Sequence, residues 1–464
     1  DFSYKIPYTI KYVITVKNQE ENNSMNVKVV KFGGSSLANA EQFQKVGDII
    51  RSDESRRYVV PSAPGKRFDE DIKVTDMLYG CYDAASKGED ITEKINAIKA
   101  RYYEIIKGLG LSLSLEEEFK KIDEDFRAQA GIQYAASRGE FLNGKIMAAY
   151  LGYEFIDAAE VIVFDENGDF DGDETHKILS ERLENKERAV IPGFYGAKPD
   201  GSIQTFSRGG SDITGSIVAK AVHADMYENW TDVSGFLIAD PRIIKNPKPI
   251  DVITYRELRE LSYMGATVLH EDAIFPVRKE GIPINIRNTN APEDKGTLIV
   301  EDTCRKPRFT ITGIAGKKDF ASITIEKAMM NSEVGFCRKV LEVFENNNIS
   351  IEHMPSGIDT MTIFVHRDEF EEKEQDVIAG IHRAVEPDFL ELESDLALIA
   401  VVGRGMRATR GTSGRIFAAL AHANVNVKMI DQGSSELNII IGVRSHDFDA
   451  AINAIYDIFV KTMI

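Results

Sequence analysis

The sequence predicts an α/β protein in which a mostly parallel sheet, covered by helices on both faces, precedes two smaller modules. Three observations support this prediction. Apolar strand patterns alternate with helical patterns up to about residue 290, which is typical of parallel sheets that bind ligands at the carboxyl ends of their strands. The composition changes there, and a later segment occurs twice. At 464 residues, the chain is also too long for one compact core.

The first predicted strand, residues 27–32, is a β-branched run that can be buried on both faces of a sheet. Residues 33–36 turn the chain, and apolar residues at helical spacing then predict an amphipathic helix: Leu37, Phe43, Val46 and Ile50. Further strands are predicted at residues 57–63, 189–195, 226–230 and 283–287. The charged region at about 75–152 has helical patterns.

An internal repeat occupies the last third of the chain. Gly335 and Gly357 recur 76 residues later as Gly411 and Gly433, and the motif at 348–351 recurs at 424–427. In each copy a strand precedes a helix and two strands follow it, which predicts a βαββ-type unit of about 60–70 residues. Because only two copies are present, a paired small domain is favoured over a stacked array.

These patterns divide the chain into five parts. Residues 1–24 are expected to be a non-native or poorly ordered leader, with an edge strand as the alternative. Residues 25–290 form the α/β domain. Residues 291–310 are charged and contain two prolines, which suits a linker. The two repeats occupy residues 311–385 and 386–464.

The composition excludes several classes of protein. The net charge of −18 argues against bulk binding of nucleic acid, and no segment approaches the length of a membrane span. Three widely spaced cysteines indicate neither a disulfide framework nor a zinc site, and they fit a reducing cytoplasm. His270 and Glu271 lack a second histidine at the spacing of a zinc hydrolase.

A lysine and two glycines stand at the end of the first predicted strand. Gly33 and Gly34 let the backbone approach an anion closely, and the helix that follows offers free N–H groups. Lys31, beside this turn, could bridge the β- and γ-phosphates of a nucleotide during phosphoryl transfer. The alternative is an ordinary strand–turn–helix with an exposed lysine.

A second glycine-rich turn, residues 207–212, precedes another helical pattern. Arg208 suits bidentate binding of a carboxylate. Asp212 could order water or a metal ion, or simply cap the helix. Two such turns in one α/β domain favour an anion-binding site over two plain turns.

Polar residues elsewhere are weaker candidates. Thr231 and Asp232 follow a predicted strand, and Arg242 lies in a later Asp-Pro-Arg turn, which suits contacts to ribose and base but is also a plain turn signal. Glu140, at a predicted helix start, could pair with a substrate ammonium group. A solvated surface position is the commoner case for an isolated glutamate.

Six motifs, taken in order, resemble those of the aspartokinases, ATP-dependent aspartate kinases of the amino-acid-kinase superfamily: KFGGSS, PSAPG…KVTD, SRGE, SRGGSD, ENWTDVSG and ADPR. The resemblance runs from about Val27 to the C-terminus. It implies an αβα sandwich followed by two ferredoxin-like βαββαβ ACT modules. No homoserine dehydrogenase portion follows, so a monofunctional enzyme is expected.

The resemblance implies transfer of the γ-phosphoryl group of Mg-ATP to the side-chain carboxylate of L-aspartate, giving 4-phospho-L-aspartate. This is the first step of lysine, threonine and methionine biosynthesis. ATP and Mg²⁺ are the implied cofactors, with no direct metal ligation by the protein. The implied catalytic residues are Lys31, Arg208 and Asp212, and the implied aspartate-binding residues are Thr75, Glu140 and Arg208. The implied ATP-binding residues are Lys31, Phe32, Gly33, Gly34, Ser35, Thr231, Asp232, Leu237, Arg242, Thr267 and Val268.

The resemblance also implies feedback regulation by lysine, threonine or both, through an effector loop in the first repeat. The implied effector residues are Met330, Ser332, Gly335, Phe336, Ser350, Glu352 and Ser356, although an ordinary turn and core would explain them too. ACT modules usually pair between subunits, so a homodimer or a dimer of dimers is expected. The expected location is the cytoplasm, without a membrane or nucleic-acid partner.

Two features depart from the family pattern. Thr267 stands where many aspartokinases have a lysine near the nucleotide, and residues 66–73 form an apparently inserted charged loop. Two other functions remain open. One is a kinase for glutamate or an acylated amino acid, although Glu140 with Arg208 favours a free amino acid. The other is a catalytically silent amino-acid-binding regulator, against which the intact Lys31 and both glycine turns argue.

Overall fold

The computed structural model describes residues 26–207, 209–266, 269, 271–303 and 307–462. The expected leader, residues 1–24, lies outside these ranges, as do Arg208, Thr267 and Val268. The strands of the described residues are β1 (Lys28–Phe32), β2 (Arg56–Pro61), β3 (Glu154–Phe155), β4 (Ala189–Val190), β5 (Tyr195–Ala197), β6 (Ile203–Thr205), β7 (Met226–Thr231), β8 (Val252–Thr254), β9 (Ile284–Asn288), β10 (Thr297–Val300), β11 (Gly313–Glu326), β12 (Thr360–His366), β13 (Phe389–Val402), β14 (Val427–Asp431) and β15 (Asn438–Arg444).

Their helices are α1 (Ala40–Arg51), α2 (Val74–Ser86), α3 (Thr92–Gly108), α4 (Glu116–Arg127), α5 (Ile132–Leu151), α6 (Ala158–Val161), α7 (Gly172–Leu183), α8 (Gly210–Ala221), α9 (Tyr255–Tyr263), α10 (Phe275–Arg278), α11 (Phe336–Asn346), α12 (Arg367–Phe370), α13 (Glu374–Val385), α14 (Thr412–His422) and α15 (Phe448–Tyr456). Among the described residues, no helix is both long enough and apolar enough to cross a membrane.

The first sheet has the strand order β3-β4-β2-β1-β7-β9-β10-β8. Its pairs are parallel except for β9 with β10, so β10 and β8 run against the other strands. The carboxyl ends of the central strands β1, β2 and β7 therefore lie side by side at one edge. The α/β fold with a mostly parallel sheet, predicted from the alternation of strand and helix patterns, is confirmed.

The central strand β1 is buried on both faces, as its β-branched sequence predicts. Val29 packs into the hydrophobic core that also contains residues of helix α8. Val30 and Phe32 point the opposite way, into a second core formed with helices α1 to α5. Because successive side chains of a strand alternate between faces, one short segment anchors both helical layers.

The second sheet contains the repeats, in the order β12-β11-β13-β15-β14, with every pair antiparallel. The long strands β11 and β13 pair along most of their length, so both modules share one sheet. Residues 313–317 belong to the first repeat but pair with the part of β13 that adjoins β15 of the second. The boundary at residues 385 and 386 stays a prediction, but this pairing interleaves the two modules.

The two modules differ in how they meet the α/β domain. The first has its own core, which includes Ile323 and Val340. The second shares a continuous core with the α/β domain, in which Leu398 belongs to the same cluster as Leu261 of α9. Movement of the second module would therefore be transmitted directly to α9 through this core.

Several local predictions are wrong in detail. Strand β10 lies within the segment predicted as a linker and pairs with β9 and β8, so part of that segment belongs to the first sheet. The strand predicted at residues 189–195 is interrupted between β4 and β5, because Pro192 has no N–H to donate and Gly193 passes so close to helix α8 that a Cβ would lie 2.6 Å from the Ser211 Cβ. In the first repeat one regular strand, β12, follows the helix instead of two. His353 and Ser356 make only isolated bridges to it.

Candidate active site

The first glycine turn lies against the carboxyl ends of β2 and β7. The Gly33 N–H donates to the Trp230 carbonyl of β7 at 3.0 Å. A Cβ built on Gly34 would lie 2.9 Å from the Ala63 carbonyl oxygen, so a side chain there would have to displace the backbone beyond β2. A 3₁₀ turn, Gly34–Leu37, then leads into α1. The turn is thus held at the edge of the sheet where parallel strands place ligands.

Lys31 connects the first glycine turn to the second. Its side chain is largely buried, and its Nζ lies 2.5 Å from the Asp212 Oδ1 in the first turn of helix α8. The same oxygen accepts a hydrogen bond from the Asn229 Nδ2 at 2.8 Å. Gly209 begins this helix with φ of +58°, which favours glycine. A lysine, a carboxylate and two helix starts therefore meet at one point.

Glu140 lies in the middle of α5 and is buried, so its predicted position at a helix start and the solvated alternative are both wrong. One of its oxygens is unpaired. Glu140 is 6% exposed, and its Oε2 has no hydrogen-bond partner in the structure. Burial raises the pKa of its carboxyl group to about 7, while backbone N–H groups of Ala63 and Glu140 and the positive charges of Lys31 and Arg138 act in the opposite direction. An unpaired buried carboxylate oxygen is costly unless a ligand pairs with it.

Thr75 of α2 lies against Gly139, the residue before Glu140, where the two helices make a close contact. Gly139, beside Glu140, has no room for a side chain: a Cβ there would lie 2.8 Å from the Ala63 Cβ and 3.8 Å from the Thr75 Oγ1. The Tyr102 hydroxyl fixes this part of α5 by donating to the Gly139 carbonyl at 2.8 Å. Thr75 is therefore packed beside the residue that precedes Glu140 in α5.

The predicted nucleotide residues are less closely grouped. Thr231 ends β7 and pairs with Asn288 of β9, and its hydroxyl donates to Asp232. Leu237 is partly exposed. The Arg242 side chain is 88% exposed and forms an ion pair with Asp240. This ion pair does not connect Arg242 to Lys31. Arg208, Thr267 and Val268 lie outside the described residues.

The residues predicted for an effector fall into two groups. Met330 and Phe336 are buried in the core of the first module, so they could offer an effector mainly backbone groups. Gly335 begins α11 with φ of +84°, and Ser332, Ser350 and Ser356 are exposed. The Glu352 side chain is 6% exposed and accepts a 2.7 Å hydrogen bond from the Tyr263 hydroxyl at the end of α9. The first module and the α/β domain are thus in direct contact at Glu352.

Sequence reasoning missed several residues around the site. Asn229 lies within a motif that was singled out, but its bond to Asp212 joins residues far apart in the chain. Gly65 packs against Gly34, but in the sequence it is only one residue of a quoted motif. Arg101 is 5% exposed on α3. The one available signal was that Arg101 interrupts the apolar stripe formed by Ile98 and Ile105.

The donor groups in this cleft suit magnesium bound mainly through a nucleotide. Within the described ranges, no cluster of three or more His, Cys, Asp or Glu side chains could hold a metal ion. Mg²⁺ commonly keeps several waters and binds through one or two carboxylates together with substrate phosphates. The Asp212 carboxylate, next to Lys31, is a hard oxygen donor that fits such an ion.

Comparisons with known proteins agree with this fold. The family model described as "Amino acid kinase family" matches residues 26–288, and one described as "ACT domain" matches residues 399–459. Aspartokinase 3 of Bacillus subtilis is 40% identical over 452 residues, which cover 93% of this chain and 98% of that protein. The crystal structure of Clostridium acetobutylicum aspartate kinase is 51% identical, with a TM-score of 0.87 over 94% of this chain and 100% of that one.

Escherichia coli aspartokinase III, crystallised with aspartate and ADP, shares the fold at 24% identity, with a TM-score of 0.71 over 93% of this chain and 99% of that one. Fold and site together define an ATP-dependent phosphotransferase of the amino acid kinase family. Within that family the chain belongs to the aspartokinases. The phosphoryl acceptor is the side-chain carboxylate of L-aspartate, and the fold and function implied by the six sequence motifs are confirmed.

Proposed function

We propose that the cleft between the two glycine turns and helix α5 binds both substrates, with phosphate at Lys31 and the aspartate ammonium at Glu140. The unpaired Oε2 of Glu140 carries this proposal, because a buried carboxylate oxygen without a partner suits a cationic ligand. Thr75, which lies beside Gly139, and Arg208 would hold the α-carboxylate. The β-carboxylate would then point toward the phosphates.

Lys31 serves in this proposal to draw charge away from the transferring phosphoryl group. Its ammonium is already held at the glycine turn by Asp212, so little reorganisation is needed when ATP binds. The attacking oxygen is an ionised carboxylate, so no general base is required. Bound Mg²⁺ would supply further charge neutralisation on the phosphates, with Asp212 helping to organise it. Positioning and electrostatics would therefore provide most of the catalysis.

A hydroxamate assay tests these subsites. The enzyme with Mg-ATP and hydroxylamine should form hydroxamate from L-aspartate, but little from L-glutamate or from succinate, which lacks the ammonium group. Mass spectrometry identifies the product. Turnover of succinate comparable to that of aspartate would contradict the role of Glu140, and preference for glutamate would favour the alternative amino-acid kinase.

The pKa of Glu140 leads to a prediction for pH. Below about pH 7 its carboxyl group is protonated in the free protein, and a protonated carboxyl cannot form an ion pair with the substrate ammonium. The apparent Kd for L-aspartate should therefore rise about tenfold for each pH unit below 7 and level off above it. Calorimetric titration across this range measures the slope. A flat profile would contradict the prediction, and the Glu140→Gln variant should lose the slope.

We propose further that an amino-acid effector binds the first module beside Glu352 and acts on helix α9. The Tyr263–Glu352 hydrogen bond joins the first module to this helix, and the residues after α9 lead to the segment with Thr267. A buried carboxylate suits the side-chain ammonium of lysine. The related Clostridium enzyme is described as allosteric, and an E. coli relative, 26% identical, is called lysine-sensitive. Threonine remains the second candidate.

The Tyr263→Phe variant should be inhibited much less by its effector, while its uninhibited kcat stays close to that of the wild type. A hydrogen bond to a charged group contributes about 1.5–3 kcal/mol, which is comparable to a typical allosteric coupling energy. Inhibition curves with lysine, threonine and both together measure the effect. Tyr153→Phe is the control, because it removes a tyrosine hydroxyl elsewhere in the α/β domain, where the Tyr153 ring packs against Arg188. Unaltered maximal inhibition in Tyr263→Phe would contradict this route.

We also propose that the modules pair between subunits as a dimer or dimer of dimers. The first module exposes large apolar side chains, with Val334 96% and Ile358 70% exposed. Such side chains are commonly covered in an assembly. Sedimentation at micromolar concentration tests this: a monomer mass would contradict it.

A further inference from the structure

The charged loop at residues 66–73, which departs from the family pattern, begins directly behind the phosphate-binding turn. Gly65 donates its N–H to the Gly34 carbonyl at 2.8 Å. A Cβ on Gly65 would lie 2.6 Å from the Gly34 carbonyl carbon and 2.8 Å from the Ser35 nitrogen. The two backbones are therefore in direct contact, and a shift of Gly65 would shift Gly34 with it.

The far end of this loop leads to the proposed aspartate site. Ile72 lies three residues before Thr75, which is in the first turn of α2. The Val74 N–H donates to the Pro64 carbonyl at 3.3 Å, so the loop closes on itself at its base. Both substrate subsites are thus attached to the two ends of one short loop.

Arg101 of helix α3 binds both ends of the loop at once. Its Nη2 donates to the Gly65 carbonyl at 2.9 Å, and its Nη1 donates to the Asp71 carboxylate at 3.0 Å and to the Ile72 carbonyl at 3.2 Å. The side chain is 5% exposed, so these bonds form away from solvent. Hydrogen bonds from Arg67 and the charge of Arg101 hold the pKa of Asp71 well below its usual range, which keeps the counter-charge ionised.

We propose that Arg101 is a positioning residue that fixes the phosphate-binding turn and the aspartate-binding Thr75 relative to each other. It touches neither substrate. Its planar guanidinium supplies donors in fixed directions to two carbonyls and a carboxylate, which a lysine ammonium cannot match with the same geometry. The inference rests on the proposed roles of Gly34 and Thr75. It gives the charged loop the role of connecting the two substrate subsites.

Arg101→Lys is the test, because it keeps the positive charge and removes the planar guanidinium with its donors in fixed directions. At a temperature where the variant is folded, kcat should fall and the KM for L-aspartate should rise, each by about tenfold or more, since small displacements of reacting groups cost large factors in rate. Glu104→Gln is the matched control: it removes the exposed Arg67–Glu104 ion pair from the same loop and helix. Its kinetic constants should match the wild type.

The outcomes separate this inference from the proposed function. A lower melting temperature with wild-type kcat and KM would show a purely structural arginine and overturn the inference. If Arg101→Lys does not fold, Asp71→Asn takes its place, with the same rise in aspartate KM expected and an unchanged KM overturning the inference. Failure of the proposed subsites would instead appear as unchanged aspartate KM in Thr75→Val, independently of Arg101.

Discussion

The Lys31→Met variant is expected to lose about a thousandfold in kcat, with a much smaller change in the KM for L-aspartate. Methionine keeps the approximate length and the apolar stem but removes the charge that lies 2.5 Å from Asp212 at the glycine turn. Charge on the phosphoryl oxygens would then be neutralised by one cation fewer as the reaction proceeds. The effect belongs to the transition state, so it should appear in kcat under saturating substrates.

Two controls make this result specific. Lys87→Met removes an exposed lysine that pairs with Asp83 at the end of α2, and it should leave kcat unaltered. Trp230 is the single tryptophan of the chain and accepts the Gly33 N–H through its carbonyl, so its fluorescence reports whether the turn is preserved. Near-normal turnover in a correctly folded Lys31→Met protein would remove the lysine from the mechanism.

The Glu140→Gln variant should lose about 2–4 kcal/mol of binding free energy for L-aspartate, which corresponds to a factor of about 30 to 1,000. The same factor should appear as a loss in kcat/KM for L-aspartate. Glutamine keeps the shape but cannot form an ion pair with the substrate ammonium. The KM for ATP should change little. Stability offers a second readout, because above about pH 7 the free protein must hold a buried, incompletely paired carboxylate.

Removal of that charge should therefore leave the melting temperature at pH 8 equal or higher. Such a combination of lost affinity and retained stability distinguishes a binding group from a structural one. Glu117→Gln, an exposed position on α4, is the control for both measurements. A Glu140→Gln protein that is less stable but binds aspartate normally would contradict the assignment.

The sequence predicts local features of the fold well. Strand β1, the turn after it and helix α1 are encoded within one continuous segment, where a β-branched run, two glycines and helical spacing follow each other. The six motifs identify the family because each is a short continuous stretch of sequence, and because their order along the chain is visible without a structure. The parallel sheet follows from the alternation of elements.

Long-range contacts were beyond prediction from one sequence. The Lys31–Asp212 pair and the Arg101 bonds to the charged loop depend on which helices pack together, and periodicity does not encode this. The interleaving of the two modules was missed for a related reason. The repeat reveals that two units exist, but not that the long strands β11 and β13 pass through both. Pro192 and Gly193 did signal a break in the predicted strand.

The silent-regulator alternative is disfavoured by the preserved chemistry of the cleft. A regulator would need an amino-acid site, but it would have no use for a buried lysine held at a glycine turn beside a carboxylate. In our proposal the neighbouring Glu140, with its unpaired oxygen, would add a site for a free amino group. The acylated amino-acid substrates of other kinases carry no such cation, which agrees with membership of the aspartokinases.

A comparison of two ligands tests the central claim most directly. L-Aspartate and succinate differ by the ammonium group, so their inhibition or binding constants in the wild type and in Glu140→Gln form a cycle that isolates one contact. The account predicts that the variant binds L-aspartate about 30- to 1,000-fold more weakly, whereas it binds succinate equally well or slightly more tightly. Equal weakening of both ligands would contradict the claim that Glu140 holds the substrate ammonium.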